Sequence, residues 1–177
     1  MSLSLHAVTV TTVTRGLKML LSVLDKARAH AEATRVDPDA YVTARLIDDM
    51  LPLSGQIQRA SDAAKGAVAR LAGLEAPSMA DDETTLAQLR DRVVRTLAYV
   101  DGVDPAAFAG AEDRTIVVPA GPGVTLEFTG IDYLLEFVIP NFQFHAVTAY
   151  DILRHKGVPL GKRDFLGIGP ERLNSAG

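Results

Sequence analysis

The residues of this chain best suited to chemistry lie in the segment 140–167, where one histidine occupies an inward position of a long helical stretch. That histidine, His145, shares a face with Phe142, Ala146 and Ala149, because residues three and four apart lie on the same side of a helix. An imidazole held inside a helical core can act as a metal ligand, as a general base or as a hydrogen-bonded structural group.

Polar neighbours of this histidine suggest a pocket between helices. Asn141 lies one turn before His145 on nearly the same face, and Gln56 borders the core side of an earlier helix. We therefore predict a ligand pocket lined by Gln56, Asn141, His145 and Tyr150. Amides are poor ligands for zinc or nickel, which prefer imidazole, thiolate and carboxylate groups.

Three roles for His145 stay open from the residues alone. It can line the pocket as a structural group, it can bind a metal with help from an amide or from Asp49 or Asp62, or it can act as a general base. A serine hydrolase built on Ser54 or Ser61 is disfavoured, because neither serine lies in a nucleophile elbow.

Four amphipathic helices and one hairpin must position these groups. The predicted elements, in order, are helix one (Leu5–Thr34), a short helical piece (Ala40–Met50), helix two (Pro52–Gly73), helix three with the apolar stripe Leu86 to Val100, a hairpin (Thr115–Phe128) and helix four (Gly130–Gly157). Pro140 should kink or restart helix four. Gly66 should let a neighbour pack close to helix two, and the acidic residues 81–83 should be solvated at the start of helix three. This pattern predicts an all-α four-helix bundle with a small β-hairpin between helices three and four.

Composition narrows the class of protein. The chain has 177 residues, 47% of them hydrophobic, which suits one well-buried domain. Its formal charge of −4 disfavours nucleic acid as a partner. It contains no cysteine, so disulfides and thiolate sites are excluded. Arg15 and Lys18 interrupt the apolar N-terminal stretch, so we expect no membrane partner and a cytoplasmic location.

The segment HAVTAYDILRHKG, residues 145–157, resembles the last-helix signature of the DinB/YfiT-like superfamily, a histidine-containing helix that ends in Leu-Arg-x-x-Gly. RLIDDMLPLSGQIQRASDAAKGA around helix two and LLEFVIPNFQFHAVTAYDILRHKGVPLGKRDFLG near the end extend the resemblance over essentially the whole chain. The chain is most similar to a subfamily catalogued as a domain of unknown function. The resemblance implies an up-down-down-up bundle forming a single domain, 1–177.

The superfamily typically binds a divalent metal through one histidine near the start of helix two and two histidines, four residues apart, on the last helix. By position, His145 takes the place of the second histidine of that pair, Asn141 falls where the first would be, and Gln56 lies near the helix-two position. The resemblance thus implies a degenerate or lost metal site with His145 as its remaining ligand. We therefore expect that the protein has no cofactor. The alternative is a divalent metal such as Zn or Ni.

From these observations we predict a protein that binds a small molecule in a polar pocket between helices. One alternative is a non-catalytic protein whose bundle forms a homodimer and whose core histidine is purely structural. Characterised relatives include thiol-cofactor-dependent transferases and isomerases, so a divalent-metal-dependent transferase is a further alternative.

Overall fold

The computed structural model describes residues 3–167, which form a mainly helical bundle with one small hairpin. The long helices are α1 (Leu5–Thr34), α2 (Leu53–Ala72), α3 (Leu86–Gly102) and α5 (Ile139–His155); the short ones are α4 (Gly130–Asp132) and α6 (Lys162–Leu166). Two 3₁₀ turns (Pro38–Tyr41 and Pro105–Phe108) and a π-helical segment (Tyr133–Val138) complete the helical part. The hairpin consists of β1 (Ile116–Gly121) and β2 (Val124–Phe128).

Local sequence explains where the long helices begin and end. The Ser4 side chain accepts a hydrogen bond from the backbone N–H of Ala7 at the start of α1, and Thr85 forms a capping box with Gln88 at the start of α3. The α2 helix begins directly after Pro52 and ends at Gly73, whose φ of 71° is left-handed and therefore suits glycine. The bounds predicted for helices one and two agree with these ends.

The four long helices enclose one apolar core. Around the bundle, α1 packs against α3, α3 against α2, α2 against α5, and α5 against α1. The approach of α5 to α1 is close, because a Cβ on Gly16 would lie 2.2 Å from Cε1 of the buried Phe142 ring. The predicted helical bundle with a hairpin before its last long helix is confirmed. The up-down-down-up order of helix directions and the single domain over 1–177 stay predictions, and residues 1–2 and 168–177 lie outside the described residues.

Among the described residues, α1 alone is long and apolar enough to cross a membrane by length and composition. Leu17, Leu20 and Val23 on this helix are fully buried against the other helices. A core helix of a bundle has the same composition, and the packing accounts for the apolar character of α1.

One predicted segment is not helical in the structure. The prediction of a helical piece over Ala40–Met50 was wrong. Only the 3₁₀ turn Pro38–Tyr41 is helical there, and it is followed by irregular turns. The carbonyls of Val42 and Ala44 accept hydrogen bonds from the start of α2, at 3.1 Å from Ser54 N and 2.9 Å from Leu53 N, and are thus not free to continue a helix. Residues Lys162–Leu166, for which the sequence predicts no element, form the short helix α6.

The last long helix is interrupted near Pro140, as predicted, but by a widened turn and not by a simple kink. Because Pro140 has no N–H to donate to the carbonyl four residues earlier, the preceding turn is not held in α geometry. Residues Tyr133–Val138 take π-helical geometry instead, and α5 begins at Ile139. Such π-helical turns often occur at functional sites.

Candidate functional site

His145 forms a hydrogen bond across the helix interface to Gln56, and this bond determines which ring nitrogen carries the proton. His145 Nδ1 lies 2.8 Å from Gln56 Oε1, while Gln56 Nε2 donates to the Leu51 carbonyl at 3.1 Å. The Leu51 carbonyl can only accept, so the Gln56 amide oxygen must face the ring, and His145 Nδ1 must be the donor. In the neutral ring Nε2 therefore keeps its lone pair.

The charge state of this ring follows from its surroundings. His145 is half-buried, and burial together with the positive charge of Arg59 lowers the pKa of the imidazole below its ordinary value. The neutral ring is thus the dominant form at neutral pH. A fixed tautomer and a lowered pKa make Nε2 a hydrogen-bond acceptor and a base.

We expect Gln56→Glu to raise the pKa of His145. A carboxylate at the position of the amide oxygen would favour the protonated ring, opposing the effects of burial and of Arg59. The measurement is an NMR titration of the His145 ring nitrogens, with Gln143→Glu as a control that adds the same charge on α5 two residues from His145. A rise no larger in Gln56→Glu than in Gln143→Glu would show that the contact with Gln56 does not hold the ring.

Next to this pair lies a groove of about 250 Å³ between α2 and the chain from Tyr133 to His145. Its wall consists of residues from three parts of the bundle: Arg59, Asp62, Ala63 and Arg70 from α2; Tyr133, Phe137, Val138, Asn141 and His145 from the π-helical segment and α5; and Val118 from the hairpin. We call this space the α2–α5 groove. Its wall carries cationic, carboxylate, aromatic and amide groups and is about as polar as it is apolar.

The carboxylate in the groove wall is already neutralised. Asp62 lies 3.0 Å from Lys65 Nζ, 3.0 Å from Arg92 Nη2 and 3.5 Å from Arg59 Nη1. Arg59 also pairs with Asp81. The α2 side of the groove thus holds a chain of ion pairs that begins at the protein surface and ends at the buried Arg92.

The other end of the groove is aromatic. The Tyr133 and Phe137 rings stack with an interplanar angle of 16° and centroids 5.8 Å apart, and Phe128 of the hairpin lies against both. Arg70 Nη1 donates to the Tyr133 hydroxyl at 3.1 Å. Burial raises the pKa of Tyr133 although Arg70 acts against it, so the phenol is protonated at neutral pH and its hydrogen can be donated elsewhere.

The structure brings together three of the four predicted pocket residues. Gln56 contacts His145, and Asn141 lines the groove beside it. Tyr150 does not line the groove. Its ring packs edge to face against Phe165 of α6, with centroids 5.7 Å apart. The short helix α6 therefore docks on Tyr150 and on α1.

The donors near His145 do not fit a divalent metal. Within residues 3–167, no group of three or more histidine, cysteine or acidic side chains is arranged to hold a metal ion. Of the predicted helpers, Asp49 is exposed in the turn before α2, and Asp62 is occupied by its cationic partners. Gln56 Oε1 faces the Nδ1 side of the ring, so it cannot join Nε2 in a common coordination sphere.

Sequence reasoning missed a large polar cluster around Arg92. This side chain is completely buried and contacts Asp62, Asp81 and Glu83, with 2.9 Å between Arg92 Nη1 and Glu83 Oε1. The prediction that residues 81–83 are solvated at a helix start was therefore wrong for Glu83, whose side chain is only 4% exposed. The available signal was an arginine on the apolar stripe of α3, three residues after Leu89 and one before Val93.

Comparisons with known proteins agree with this architecture. A crystal structure of a DinB family member from Shewanella denitrificans is similar, with 44% sequence identity, a TM-score of 0.85 and 96% of each chain covered. No curated protein matches the chain. The family model described as "Domain of unknown function (DUF1993)" matches residues 5–166. The resemblance to the DinB group is thus confirmed, and the chain belongs to the DUF1993 family within it.

Proposed function

We propose that this protein binds a small molecule in the α2–α5 groove and that it does so without a metal ion. The observation that carries the proposal is the His145–Gln56 pair, which keeps a neutral imidazole with its Nε2 lone pair available beside a groove of about 250 Å³. A groove that places polar side chains beside apolar and aromatic ones can bind and orient a small molecule.

In this proposal His145 supplies an acceptor or a base, and its neighbours supply orientation. The Asn141 amide, one turn from His145, can both donate to and accept from a bound polar group. If the ligand reacts, a neutral imidazole of fixed tautomer is the group that would take up a proton.

We infer the loss of the metal site from the side chains that would have to bind the metal. Among the described residues His145 is the one imidazole beside the groove, and the two positions corresponding to the other metal ligands hold the amides of Asn141 and Gln56. Amide oxygens do not replace imidazole for zinc or nickel. A metal-dependent transferase is accordingly the weaker candidate.

Elemental analysis and a thermal-shift screen on untagged protein test this function. We expect no stoichiometric Zn, Ni or Fe, and we expect hits that raise Tm by about 5 to 10 °C at a ligand concentration of 100 Kd. The hits should lose their effect in His145→Gln and keep it in the control His155→Gln, which changes an exposed histidine at the end of α5.

Two results would overturn the proposal. Stoichiometric metal that disappears in His145→Gln would restore the metal site. Hits that stabilise His145→Gln as well as the wild type would place the binding elsewhere.

A homodimer is the second candidate, and one feature of the surface favours it. Leu135, Phe144 and Val147 are 56%, 55% and 37% exposed on the outside of the last helical stretch. An apolar strip of this kind can pack against its own copy in a symmetric dimer. Sedimentation velocity distinguishes this dimer from a monomer. Its result does not depend on whether the groove binds a ligand.

A further inference from the structure

We propose that the α2–α5 groove selects a small organic anion whose negative group binds to Arg70 and to the hydroxyl of Tyr133. This inference rests on the proposed function, because it names the class of ligand for the same groove. A carboxylate attached to an aromatic or apolar body has the matching chemistry.

Arg70 is the groove cation for which residues 3–167 supply no anionic partner. Within the described part of the chain, no carboxylate oxygen lies within 4.0 Å of its guanidinium, whereas Arg59, the other groove arginine, pairs with Asp62 and Asp81. Arg70 donates a hydrogen bond to the neutral Tyr133 hydroxyl. Arg70 therefore has donors left for a ligand, since a guanidinium carries five N–H groups.

The position of the Arg70 guanidinium depends on a glycine one turn earlier in α2. A Cβ added to Gly66 would lie 2.5 Å from Arg70 Nη1, and it would meet no other residue within 4 Å. The space expected at Gly66 for a neighbouring helix is thus used by the Arg70 side chain. The guanidinium lies back along α2 toward Arg59 and stays beside the groove.

The wall around this cation suits an anion with an apolar body. The Tyr133 hydroxyl accepts from Arg70, so its own hydrogen is free to be donated to a second oxygen of the same carboxylate. The half-buried Phe137 ring, stacked on Tyr133, offers the main apolar contact, and Tyr133 and Val138 are each only 1% exposed at the groove. The local charge also counts against a cation as ligand, because Asp62 is already shared by three basic side chains.

The groove is long enough for a ligand to reach both ends. Gly66, over which the guanidinium lies, is seven residues from Arg59, which corresponds to about 10 Å along the axis of α2. A phenyl-substituted short-chain acid spans a similar length. Its carboxylate would lie at Arg70, and its body would extend toward Asn141 and His145.

The test compares three probes that share a phenyl-terminated four-carbon chain and differ in charge: 4-phenylbutanoate, 4-phenylbutanamide and 4-phenylbutylamine. Affinities are measured by calorimetry on the full chain in the wild type, Arg70→Gln and Gly66→Ala. Arg154→Gln, which removes an exposed arginine in the last turn of α5, is the matched control. Gly66→Ala keeps the charge of Arg70 and should keep the fold, because alanine favours a helix interior.

We expect the acid to bind at least about tenfold more tightly than the amide in the wild type, since charge-assisted hydrogen bonds are roughly twice as strong as neutral ones. This preference should disappear in Arg70→Gln, decrease in Gly66→Ala and persist in Arg154→Gln. An arginine that served only the C-terminal end of α2 would leave ligand affinity unchanged.

The outcomes separate this inference from the function on which it rests. Equal binding of acid and amide in the wild type would overturn the anion preference and leave the groove a small-molecule site. A preference for the acid that survives in both Arg70→Gln and Gly66→Ala would overturn the assignment to Arg70. Failure of all three probes to bind at millimolar concentration would overturn the anion assignment, whereas the thermal-shift screen decides the function on which it rests.

Discussion

Replacing Arg92 by methionine should destabilise the protein by about 3 to 5 kcal/mol, the range expected when one partner of a buried ion pair is removed. Arg92 is 0% exposed, and its Nη1 donates to the Glu83 carboxylate at 2.9 Å and to the Ala80 carbonyl at 2.8 Å. Methionine fills much of the space but leaves Glu83 as a buried carboxylate without a cationic partner, although the hydrogen bond from Gln58 remains. The measurement is the free energy of unfolding in urea.

Arg90→Met is the matched control, two residues earlier on the same helix. The Arg90 side chain is 42% exposed, and it pairs with an exposed carboxylate, Asp25, at 2.8 Å. Surface pairs of this kind contribute about 1 kcal/mol or less. Equal losses in Arg90→Met and Arg92→Met would contradict the view that burial makes the Arg92 cluster important.

The effect of Arg92→Met should also depend on pH. Burial acts to raise the pKa of Glu83, but the hydrogen bonds from Gln58 and Arg92 outweigh it, so the pKa is lower than its ordinary value. A lowered carboxyl pKa contributes stability above the unfolded value, about 4.3, and that stability is lost as the pH falls through the folded value. The difference in the free energy of unfolding between wild type and Arg92→Met should therefore be largest near neutral pH and should decrease in acid.

The double variant Arg92→Met/Glu83→Gln should recover part of the lost stability at neutral pH, because no charge is then left buried.

The second large effect is expected at Gly130, the first residue of α4. A Cβ at this position would lie 1.8 Å from the Ala111 carbonyl oxygen and 3.2 Å from a methyl carbon of Leu71. The nearest atom belongs to the backbone and cannot rotate away, so Gly130→Ala must shift the chain. We expect a loss of about 3 kcal/mol, at the upper end of the range for overpacked cores.

Gly102→Ala controls for the general effect of replacing a helical glycine. Gly102 is the last residue of α3, and a Cβ there would meet nothing within 4 Å. The change should be neutral or stabilising by about 0.4 to 1 kcal/mol, because alanine restricts the unfolded chain. A thermal melt in which Gly130→Ala matches Gly102→Ala would show that the contact with Ala111 is not tight in solution.

Gly130→Ala should also disturb the α2–α5 groove. Gly130 begins the helical stretch that carries Tyr133, whose backbone N–H bonds to the Thr129 carbonyl at 2.8 Å. A displaced start of this stretch would move the Tyr133 hydroxyl relative to Arg70. The close approach at Gly130 thus links the stability of the bundle to the geometry of the candidate site.

The sequence by itself determined the helices and the candidate histidine. Stripes of apolar residues gave the extents of α1 and α2, and the composition around Gly121 and Gly123 gave the hairpin. Facing positions on two helices also indicated Gln56 and His145, which form a hydrogen bond in the structure. These features depend on residues a few positions apart, and periodicity reports such spacings directly.

Only the tertiary structure decided which charges are buried and which face the groove. Arg92 meets Asp62 from another helix and Glu83 from a loop, and Arg70 meets Tyr133, which is 63 residues away. Periodicity places each side chain on a face of its own helix but does not say which distant side chain lies opposite. That choice comes from the packing of whole elements, because a buried charge is stable only where packing brings its partners to it.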